Sequence, residues 1–270
     1  MEIWHYLVVS LSVLLASGLT FFSGFGLGTI MLPVFSLFMP LHLAVVATAI
    51  VHFANNVFKF ALVCKSIHFP VLLRFGIPAL LSAIFGGYIL TTISTMNGTF
   101  EYTFLDHTLQ MSWLKIIIGI LMIFFAWFDL SPRFSNLTFH KKYLPFGGIL
   151  SGFFGGLSGH QGAFRAVFLS KSEMTKDQFI ATSNSLSLVV DIGRLIVYSA
   201  GIVFLGELFQ TDLKGVEIDL RNIIIFAIIC AFLGTIIGKQ LVRKVTFKNV
   251  QKVVGVLLIL MGLLLILGIL

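Results

Sequence analysis

The sequence contains few charged residues for its length. Asp, Glu, Lys and Arg make up 11% of the 270 residues, whereas an ordinary soluble domain contains about 25%. Hydrophobic residues make up 58% of the chain, and the mean hydropathy is +1.04. A fold in water cannot cover so much apolar surface, because its outer surface must stay polar enough to be wetted. The composition therefore excludes a soluble enzyme and predicts a protein surrounded by lipid.

Cysteines, basic leader residues and nucleotide-binding motifs are also scarce or missing. The two cysteines, Cys64 and Cys230, lie in apolar stretches, which argues against a disulfide framework. Residues 1–4 include no Lys or Arg, so the sequence lacks the basic start of a cleaved signal peptide. No G-x-x-x-x-G-K-[ST] loop occurs, so we expect neither ATP-driven transport by this chain alone nor a cofactor.

The net charge of +7 has a simple explanation in a membrane protein. The basic residues lie in short loops at the ends of apolar runs, where the cytoplasmic side of a membrane protein concentrates Lys and Arg. We therefore expect the lipid bilayer as a partner and no nucleic acid. The sequence leaves a homo-oligomeric assembly open.

Eight apolar runs divide the chain into two series of four. Six of them have the length of single membrane spans, which need about 20 residues. The first run, residues 4–38, would be about 52 Å long as one helix, which is too long for one span and too short for two. This run and run 145–169 each contain a glycine-rich interruption. The other runs are 43–64, 72–93, 114–130, 179–205, 223–241 and 250–270.

The two series also resemble each other in sequence. Ser23-Gly24 in the first interrupted run aligns with Ser158-Gly159 in the second. Because the hydropathy of the two series also matches, we predict two repeats in one integral membrane domain, residues 1–138 and 139–270.

Loop charges predict the orientation of these repeats. Lys and Arg flank the loops after the second and fourth runs and before the last, which places those loops in the cytoplasm. The loops after the third and sixth runs are poor in bases and should face outward. The chain is then inside at Lys142 and outside at Glu207, although two apolar runs lie between them. Run 145–169 should therefore enter and leave on one side as a broken hairpin.

The predicted fold is an all-α, polytopic membrane protein. Each repeat has one broken helical hairpin, 4–38 or 145–169, followed by three transmembrane helices. An odd number of spans in each repeat makes the two repeats inverted. Both termini are then expected outside the cell.

Two glycine-rich breaks, residues 23–28 and 155–162, are the first candidates for a binding site. Backbone amides exposed at membrane depth are tolerated where they line a cavity or are buried in protein. A helix that restarts after a break points its N-terminal N–H groups at that cavity, which suits an anion. Close helix packing is the alternative explanation of the glycines. The glycines assigned to substrate binding are Gly24, Gly26, Gly28, Gly159 and Gly162.

Polar and ionisable residues inside the apolar runs are the second group of candidates, because such residues are costly in a membrane. Asp191 and Arg194 are three residues apart and share a helix face, where they could also simply neutralise each other. Arginine suits an oxyanion through its planar fork of donors. The side chains assigned to anion binding are Asn55, Asn56, Gln161, Arg165, Asn184 and Arg194.

The remaining ionisable residues receive other assignments. Histidine titrates near neutral pH, so His160 is a candidate for coupling protons, with a neutral lining role as the alternative. Asp191 is the second candidate for proton coupling. His52 is interpreted as an interior histidine. Lys59 lies near the predicted cytoplasmic end of its run, where its side chain is expected to extend toward the interface.

At these residues the sequence resembles the sulfite exporter TauE/SafE family of membrane permeases, over nearly the whole chain. The resemblance rests on the glycine-rich first segment ending in Pro33, on Ala47-Thr48 and Ala181-Thr182, and on the Gly-Leu-Ser-Gly-His-Gln-Gly stretch at 156–162. It implies a permease of the bacterial plasma membrane that moves sulfite, sulfonates or related sulfur anions. The second break departs from the usual family pattern, with Phe168 at the proline position.

An intramembrane serine protease is one alternative. The stretch 156–159, Gly-Leu-Ser-Gly, fits the G-x-S-G pattern of rhomboid-type proteases, which pair the serine with a histidine on a later helix. His160 is the last histidine in the chain, so no later helix supplies one. We therefore predict that the protein is not an enzyme.

A transporter of a divalent metal or another small solute is the second alternative. It would need clustered acids, histidines or cysteines inside the spans, and only His52, His160 and Asp191 could contribute. Bases outnumber acids inside the runs, so we predict no metal site. The favoured function is a secondary transporter for a small anion, with proton coupling left open.

Overall fold

The chain folds into α-helices and one β-hairpin. The computed structural model describes residues 3–23, 27–95, 99–104, 107–131, 137–209, 217–241 and 247–270. The described helices are α1 (Ile3–Ser23), α2 (Leu27–Ser36), α3 (Leu41–Val63), α4 (Phe69–Ser94), α5 (Trp113–Leu130), α6 (Leu144–Ser158), α7 (Gly162–Leu169), α8 (Lys176–Phe209), α9 (Glu217–Leu241) and α10 (Phe247–Ile266). Short 3-10 turns at Cys64–Ser66 and Lys141–Tyr143 follow α3 and precede α6.

Five of the described helices are long and apolar enough to cross a membrane. They contain the stretches Leu41–Ser66, Phe69–Ser94, Trp113–Leu130, Lys176–Ala200 and Leu220–Gln240. Three shorter apolar helical stretches accompany them: Trp4–Thr20, Leu27–Ser36 and Val254–Ile266. The protein is therefore a multi-pass, mainly helical membrane protein.

The outer surface of α4 shows how the fold meets lipid. Leu73, Ile77, Leu81 and Phe85 recur every fourth residue and are each more than half exposed. Residues four apart lie on one face of a helix, so this face is an apolar stripe that no other part of the described chain covers. Phe75, Ala79 and other residues of the opposite face are fully buried.

A glycine ends α6 and separates it from α7. Gly159 has φ +81, in the left-handed region that favours glycine because it has no Cβ atom. The Gly159 N–H donates to Gly155 O over 2.9 Å, and α7 begins three residues later at Gly162. In the first half, α1 ends at Ser23 and α2 begins at Leu27, while Gly24 and Gly26 lie outside the described residues.

Glycines bring helices from the two halves of the chain into backbone contact. Along α6, the positions of Gly148, Gly152 and Gly156 face carbonyl oxygens of α4 so closely that a Cβ atom on any of them would overlap. Gly119 of α5 and Gly262 of α10 face each other, and a Cβ on either would lie 2.6–2.7 Å from the other's carbonyl oxygen. Small residues allow such close approach between membrane helices.

The packing partners of the two halves correspond. Helix α4 packs on α6 and α8, while α9 packs on α1 and α3. Helix α2 packs on α3 and α10, while α7 packs on α8 and α5. Helix α3 also packs on α8, and α5 on α10. Exchanging α1–α5 with α6–α10 leaves this set of pairs unchanged. The smaller contacts of α6 with α8 and of α4 with α5 lie outside the correspondence.

A β-hairpin between α4 and α5 was not expected from the sequence. Strand β1 (Thr99–Phe104) pairs antiparallel with β2 (His107–Ser112), with Thr99 opposite Ser112 and Phe104 opposite His107. The Tyr102 hydroxyl donates to Leu267 O over 2.7 Å, which attaches the hairpin to the end of α10. The all-α prediction therefore holds for the helical body and misses this one loop.

Candidate functional site

A buried polar cluster lies where α3, α7 and α8 meet, and Asp191 is at its centre. Asp191 Oδ2 accepts a hydrogen bond from Asn56 Nδ2 over 2.6 Å and lies 2.7 Å from His52 Nδ1. Asp191 Oδ1 lies 2.7 Å from Arg194 Nη2 and accepts from Gln161 Nε2 over 3.3 Å. Asp191 is 0% exposed. One carboxylate thus holds residues from two helices and from the second glycine break.

Helical spacing explains why these side chains converge. His52, Asn56 and Lys59 lie four and three residues apart on α3, so they share one face. Asp191 and Arg194 share a face of α8 for the same reason, and α3 packs on α8. The polar faces of two otherwise apolar helices therefore meet each other rather than lipid.

Arg165 extends the cluster onto α7. Its Nε donates to Ser183 Oγ over 2.9 Å, and its Nη1 donates to Gln161 Oε1 over 3.0 Å. Gln161 thereby connects Arg165 to Asp191, because its amide nitrogen faces the carboxylate and its oxygen faces the guanidinium. Ser151 Oγ donates to Gln161 O over 2.7 Å and fixes the same turn from α6.

Gly28, the last residue of the first break, lies beside the second break at this cluster. A Cβ atom on Gly28, at the start of α2, would lie 3.4 Å from His52 Cδ2 and 3.5 Å from Gly159 O. A Cβ atom on Gly159 would lie 2.9 Å from Arg194 Nη1. The second break is therefore in close contact with Arg194 of α8. Helix α2 begins next to His52 and Gly159. Gly162, at the start of α7, is also buried.

His160 lies next to the cluster but in a different environment. Its ring stacks on Phe125 with centroids 4.9 Å apart. Its Nδ1 lies 3.0 Å from Ser158 Oγ, and its buried Nε2 has no hydrogen-bond partner among the described residues. The Ser158–His160 contact spans a single turn between buried side chains, and Ser158 Oγ also donates to Phe154 O over 3.2 Å. The pair is therefore a local turn contact, without the histidine from a later helix that a protease would need.

Two predicted asparagines have partners outside the cluster. Asn184 Nδ2 donates to Ile180 O of its own helix over 2.9 Å. Asn55 Oδ1 accepts from Thr235 Oγ1 of α9 over 2.8 Å, while its buried Nδ2 has no partner among the described residues. The sequence analysis missed Thr235 and Ser183, because a lone hydroxyl in an apolar helix gives no signal of its own.

Lys59 corrects one expectation from the sequence. Its side chain was expected to extend toward the interface, but the residue is only 3% exposed. Helix α3 packs on α2, α8 and α9, and Lys59 lies on the covered side of the helix, whereas Val57 on another side is exposed. The spacing in the sequence already indicated that Lys59 is buried, since Lys59 lies on the same helix face as His52 and Asn56.

The buried charges do not balance. Among the described residues, the buried charged side chains are three bases, Lys59, Arg165 and Arg194, and one acid, Asp191. Arg194 Nε is also buried without a hydrogen-bond partner in this part of the chain. A buried charge is costly unless it is paired and hydrogen-bonded. The cluster therefore has an excess of positive charge and of hydrogen-bond donors.

A family model described as the sulfite exporter TauE/SafE matches residues 9–265. The chain belongs to the TauE/SafE family. Membership confirms the resemblance seen in the sequence and implies a membrane transporter of sulfur-related anions, in line with the prediction that the protein is not an enzyme. No curated protein and no solved structure shows significant similarity to the chain.

Proposed function

We propose that this TauE/SafE protein is a secondary transporter that binds a small sulfur oxyanion at the Asp191 cluster. The observation that carries the proposal is the buried imbalance of three bases and one acid. An anion bound beside Arg165 and Arg194 would supply the missing negative charge. Oxyanions accept hydrogen bonds and donate few, so they also match Arg194 Nε, which has no hydrogen-bond partner among the described residues. Sulfite is the oxyanion in the family's description, and the resemblance adds sulfonates; both are small oxyanions.

The proposed binding set combines backbone and side-chain donors. The start of α7 follows the Gly159 break, and the N–H groups of a helix start favour an anion. Arg165 and Arg194 provide planar forks of donors. The proposed substrate-binding residues are Gly24, Gly26, Gly28, Asn55, Asn56, Gly159, Gln161, Gly162, Arg165, Asn184 and Arg194. Proton coupling at His160 or Asp191 stays a prediction from the sequence.

An inverted pair of repeats, 1–138 and 139–270, is part of the proposal. The exchangeable set of packing pairs supports it, because related halves must make related contacts. Two open cavities lie at the ends of α2 and α7, which correspond in the two halves, and their lining includes no residue of the cluster. One of about 500 Å³ lies at the end of α2 beside Lys115, and one of about 330 Å³ lies at the end of α7 beside Lys141 and Lys171. Rocking one repeat against the other would alternate access to the cluster, in a bacterial plasma membrane with both termini outside.

A divalent metal is the less well supported cargo. Within the described residues, no group of three His, Cys, Asp or Glu side chains comes close enough to hold a metal ion. The carboxylate of Asp191 is already contacted by His52, Asn56, Gln161 and Arg194. A cation entering the cluster would also face the three bases.

The proposal is tested by binding to purified protein in detergent. A ligand that binds the folded state raises the apparent Tm by mass action. We expect sulfite, thiosulfate, sulfate or methanesulfonate to raise the Tm, and chloride at equal ionic strength to have no effect. The shift should disappear in Arg194→Gln and persist in Arg221→Gln, which removes an exposed arginine of α9. A Tm shift with divalent metals and none with any of the oxyanions would overturn the proposal.

A further inference from the structure

Of the three buried bases, Lys59 has the weakest hydrogen bonding to its surroundings. Its Nζ donates to Thr20 Oγ1 of α1 over 3.5 Å, the upper limit of a hydrogen bond. No carboxylate lies within ion-pairing distance of Lys59 in the described part of the chain. An ammonium group carries three donors and needs partners for them when it is buried. Lys59 therefore has its charge less well compensated than the two arginines.

The charged groups around Lys59 favour a side chain that can gain and lose a proton at this position. Lys59 shares its face of α3 with His52 and Asn56, which both contact Asp191. The other buried charged or titratable side chains among the described residues are Arg194, His52, His160 and Tyr198. Helices α1 and α9 contribute the hydroxyls of Thr20 and Thr235 to this region rather than charges. Lys59 thus lies in a net positive environment whenever the anion is absent.

The other ionisable groups at or next to the cluster are poorer candidates for gaining and losing a proton. Asp191 is already in contact with His52, Asn56, Gln161 and Arg194, and its charge is paired with the Arg194 guanidinium. Arginine stays protonated in proteins, whereas a buried lysine changes its protonation state readily. His160 stacks on Phe125 and contacts Ser158 rather than the cluster. Lys59 combines burial, weak partners and a titratable side chain.

We propose that Lys59 carries the proton that crosses the membrane together with the anion. This inference rests on the proposed function, since it assigns a partner ion to the same site. When the anion enters, the neutral Lys59 amine takes up a proton from the same aqueous side and forms a new N–H bond. When the anion leaves on the other side, the ammonium group returns that proton to water. No electrons move, and each cycle transfers the anion and a proton together.

The charge balance of the cluster explains why the two ions would travel together. With Lys59 neutral and no anion bound, Arg165 and Arg194 against Asp191 leave one positive charge. With Lys59 protonated and a monovalent anion bound, the cluster again carries one positive charge. The loaded and the empty protein would therefore face a similar electrostatic barrier to reorientation. With Lys59 permanently charged, the empty protein would carry an additional buried charge, which is costly in a membrane.

The first test measures proton uptake on binding by the wild-type protein. The probes are sulfate, thiosulfate and methanesulfonate, which carry no titratable proton near neutral pH. Mixed with the protein in weakly buffered detergent solution, each anion that binds should remove about one proton per site from a pH indicator. Binding without proton uptake overturns the inference and leaves the proposed function intact. Wild-type protein that binds neither these anions nor sulfite overturns both.

The second test compares Lys59→Arg with Lys59→Gln in proteoliposomes. Arginine keeps the charge and cannot release its proton, so Lys59→Arg should retain anion exchange between two equal anion pools. The same variant should lose at least about 90% of the accumulation driven by a pH gradient. Lys59→Gln should bind anions without proton uptake. Lys65→Arg, an exposed lysine just after α3, is the control that keeps both activities.

The outcomes of the second test are distinct. Loss of gradient-driven accumulation in Lys59→Arg with exchange retained supports the role of Lys59. Gradient-driven accumulation at the wild-type level in both Lys59 variants overturns it. If both variants fail to fold, as judged by their Tm and gel-filtration profile, the proton uptake of the wild-type protein decides the question.

Discussion

The contact of α4 with α6 and the contact of α3 with α8 both connect the two halves of the chain, but they are built from opposite kinds of residue. Along α4 and α6, Gly148, Gly152 and Gly156 bring backbones together. Along α3 and α8, a carboxylate, an amide, an imidazole and a guanidinium meet in the interior. The first contact depends on shape and the second on charge. The proposed transport uses both, because the close backbone contact holds the helices together while the polar contact supplies the proposed binding site.

Removing the central acid should break the polar contact and give the largest effect. Asp191→Asn leaves Arg194 without its ion-pair partner in the interior, and breaking a buried pair in this way costs about 3–5 kcal/mol. We expect a large fall in the Tm of the purified protein and loss of transport. Asp177→Asn, an exposed acid of the same helix, is the matched control. An unchanged Tm in Asp191→Asn would show that the cluster is not a coupled unit.

Adding one methyl group should break the apolar contact with the next largest effect. In Gly152→Ala the new Cβ would overlap Ala79 O and Ser82 Oγ, and overpacking of this kind costs about 1–3 kcal/mol. In the control Gly87→Ala, the Cβ would lie 3.4 Å from Val197 Cβ, which is ordinary contact. Thermal unfolding in detergent should therefore separate the two alanine variants. Equal Tm values for both would show that the α4–α6 contact tolerates expansion.

Replacing Arg165 by lysine separates charge from geometry in the polar contact, because it keeps the positive charge and removes the planar guanidinium. Arg165→Lys loses the bonds that the guanidinium makes to Ser183 and Gln161. We expect roughly tenfold weaker anion binding, equivalent to about 1.4 kcal/mol, with little change in Tm. Titration of the ligand-induced Tm shift measures this difference, with Arg221→Lys as the exposed control. Wild-type affinity in Arg165→Lys would mean that charge alone suffices at this position.

An exposed ion pair should give the smallest effect and a pH dependence of known sign. Glu173 accepts a hydrogen bond from Lys141 near the entrance of α6, and this ammonium lowers the pKa of Glu173. The pair therefore contributes above the unfolded-state pKa and loses its contribution as the pH falls through the lowered value. The Tm difference between wild type and Glu173→Gln should be small near neutral pH and vanish in acid. A difference that grows on acidification would contradict this assignment.

The sequence predicted the parts of the site that depend on spacing along one helix. Asp191 and Arg194 share a face of α8, and the glycine breaks mark where a helix must stop, so these features follow from local geometry. The meeting of His52 with Asp191 could not be predicted, because it depends on which face of α3 turns toward α8. The expectation that Lys59 would extend to the interface was wrong for another reason, since it overlooked that Lys59 shares a helix face with His52 and Asn56.

The β-hairpin was not predicted from the sequence, for a different reason. Residues 99–104, Thr-Phe-Glu-Tyr-Thr-Phe, alternate polar and aromatic side chains, which is typical of a strand with two different faces. Beside long apolar runs this short alternation is a weak signal. The hairpin also depends on its attachment to the end of α10, since an isolated two-stranded hairpin is marginally stable.

The pairing of α1 with α9 and of α5 with α10 has a consequence for how the protein is made. Helices α1 and α5 each pack against a partner that the ribosome synthesises only near the end of the chain. Helices of the first half can enter the bilayer as they emerge, but their glycine surfaces stay unmatched until α9 and α10 arrive. Such long-range partners make assembly slow and leave incomplete intermediates exposed. Maturation therefore waits for the last helix, and a chain shortened at its C-terminal end would lose partners throughout the first half.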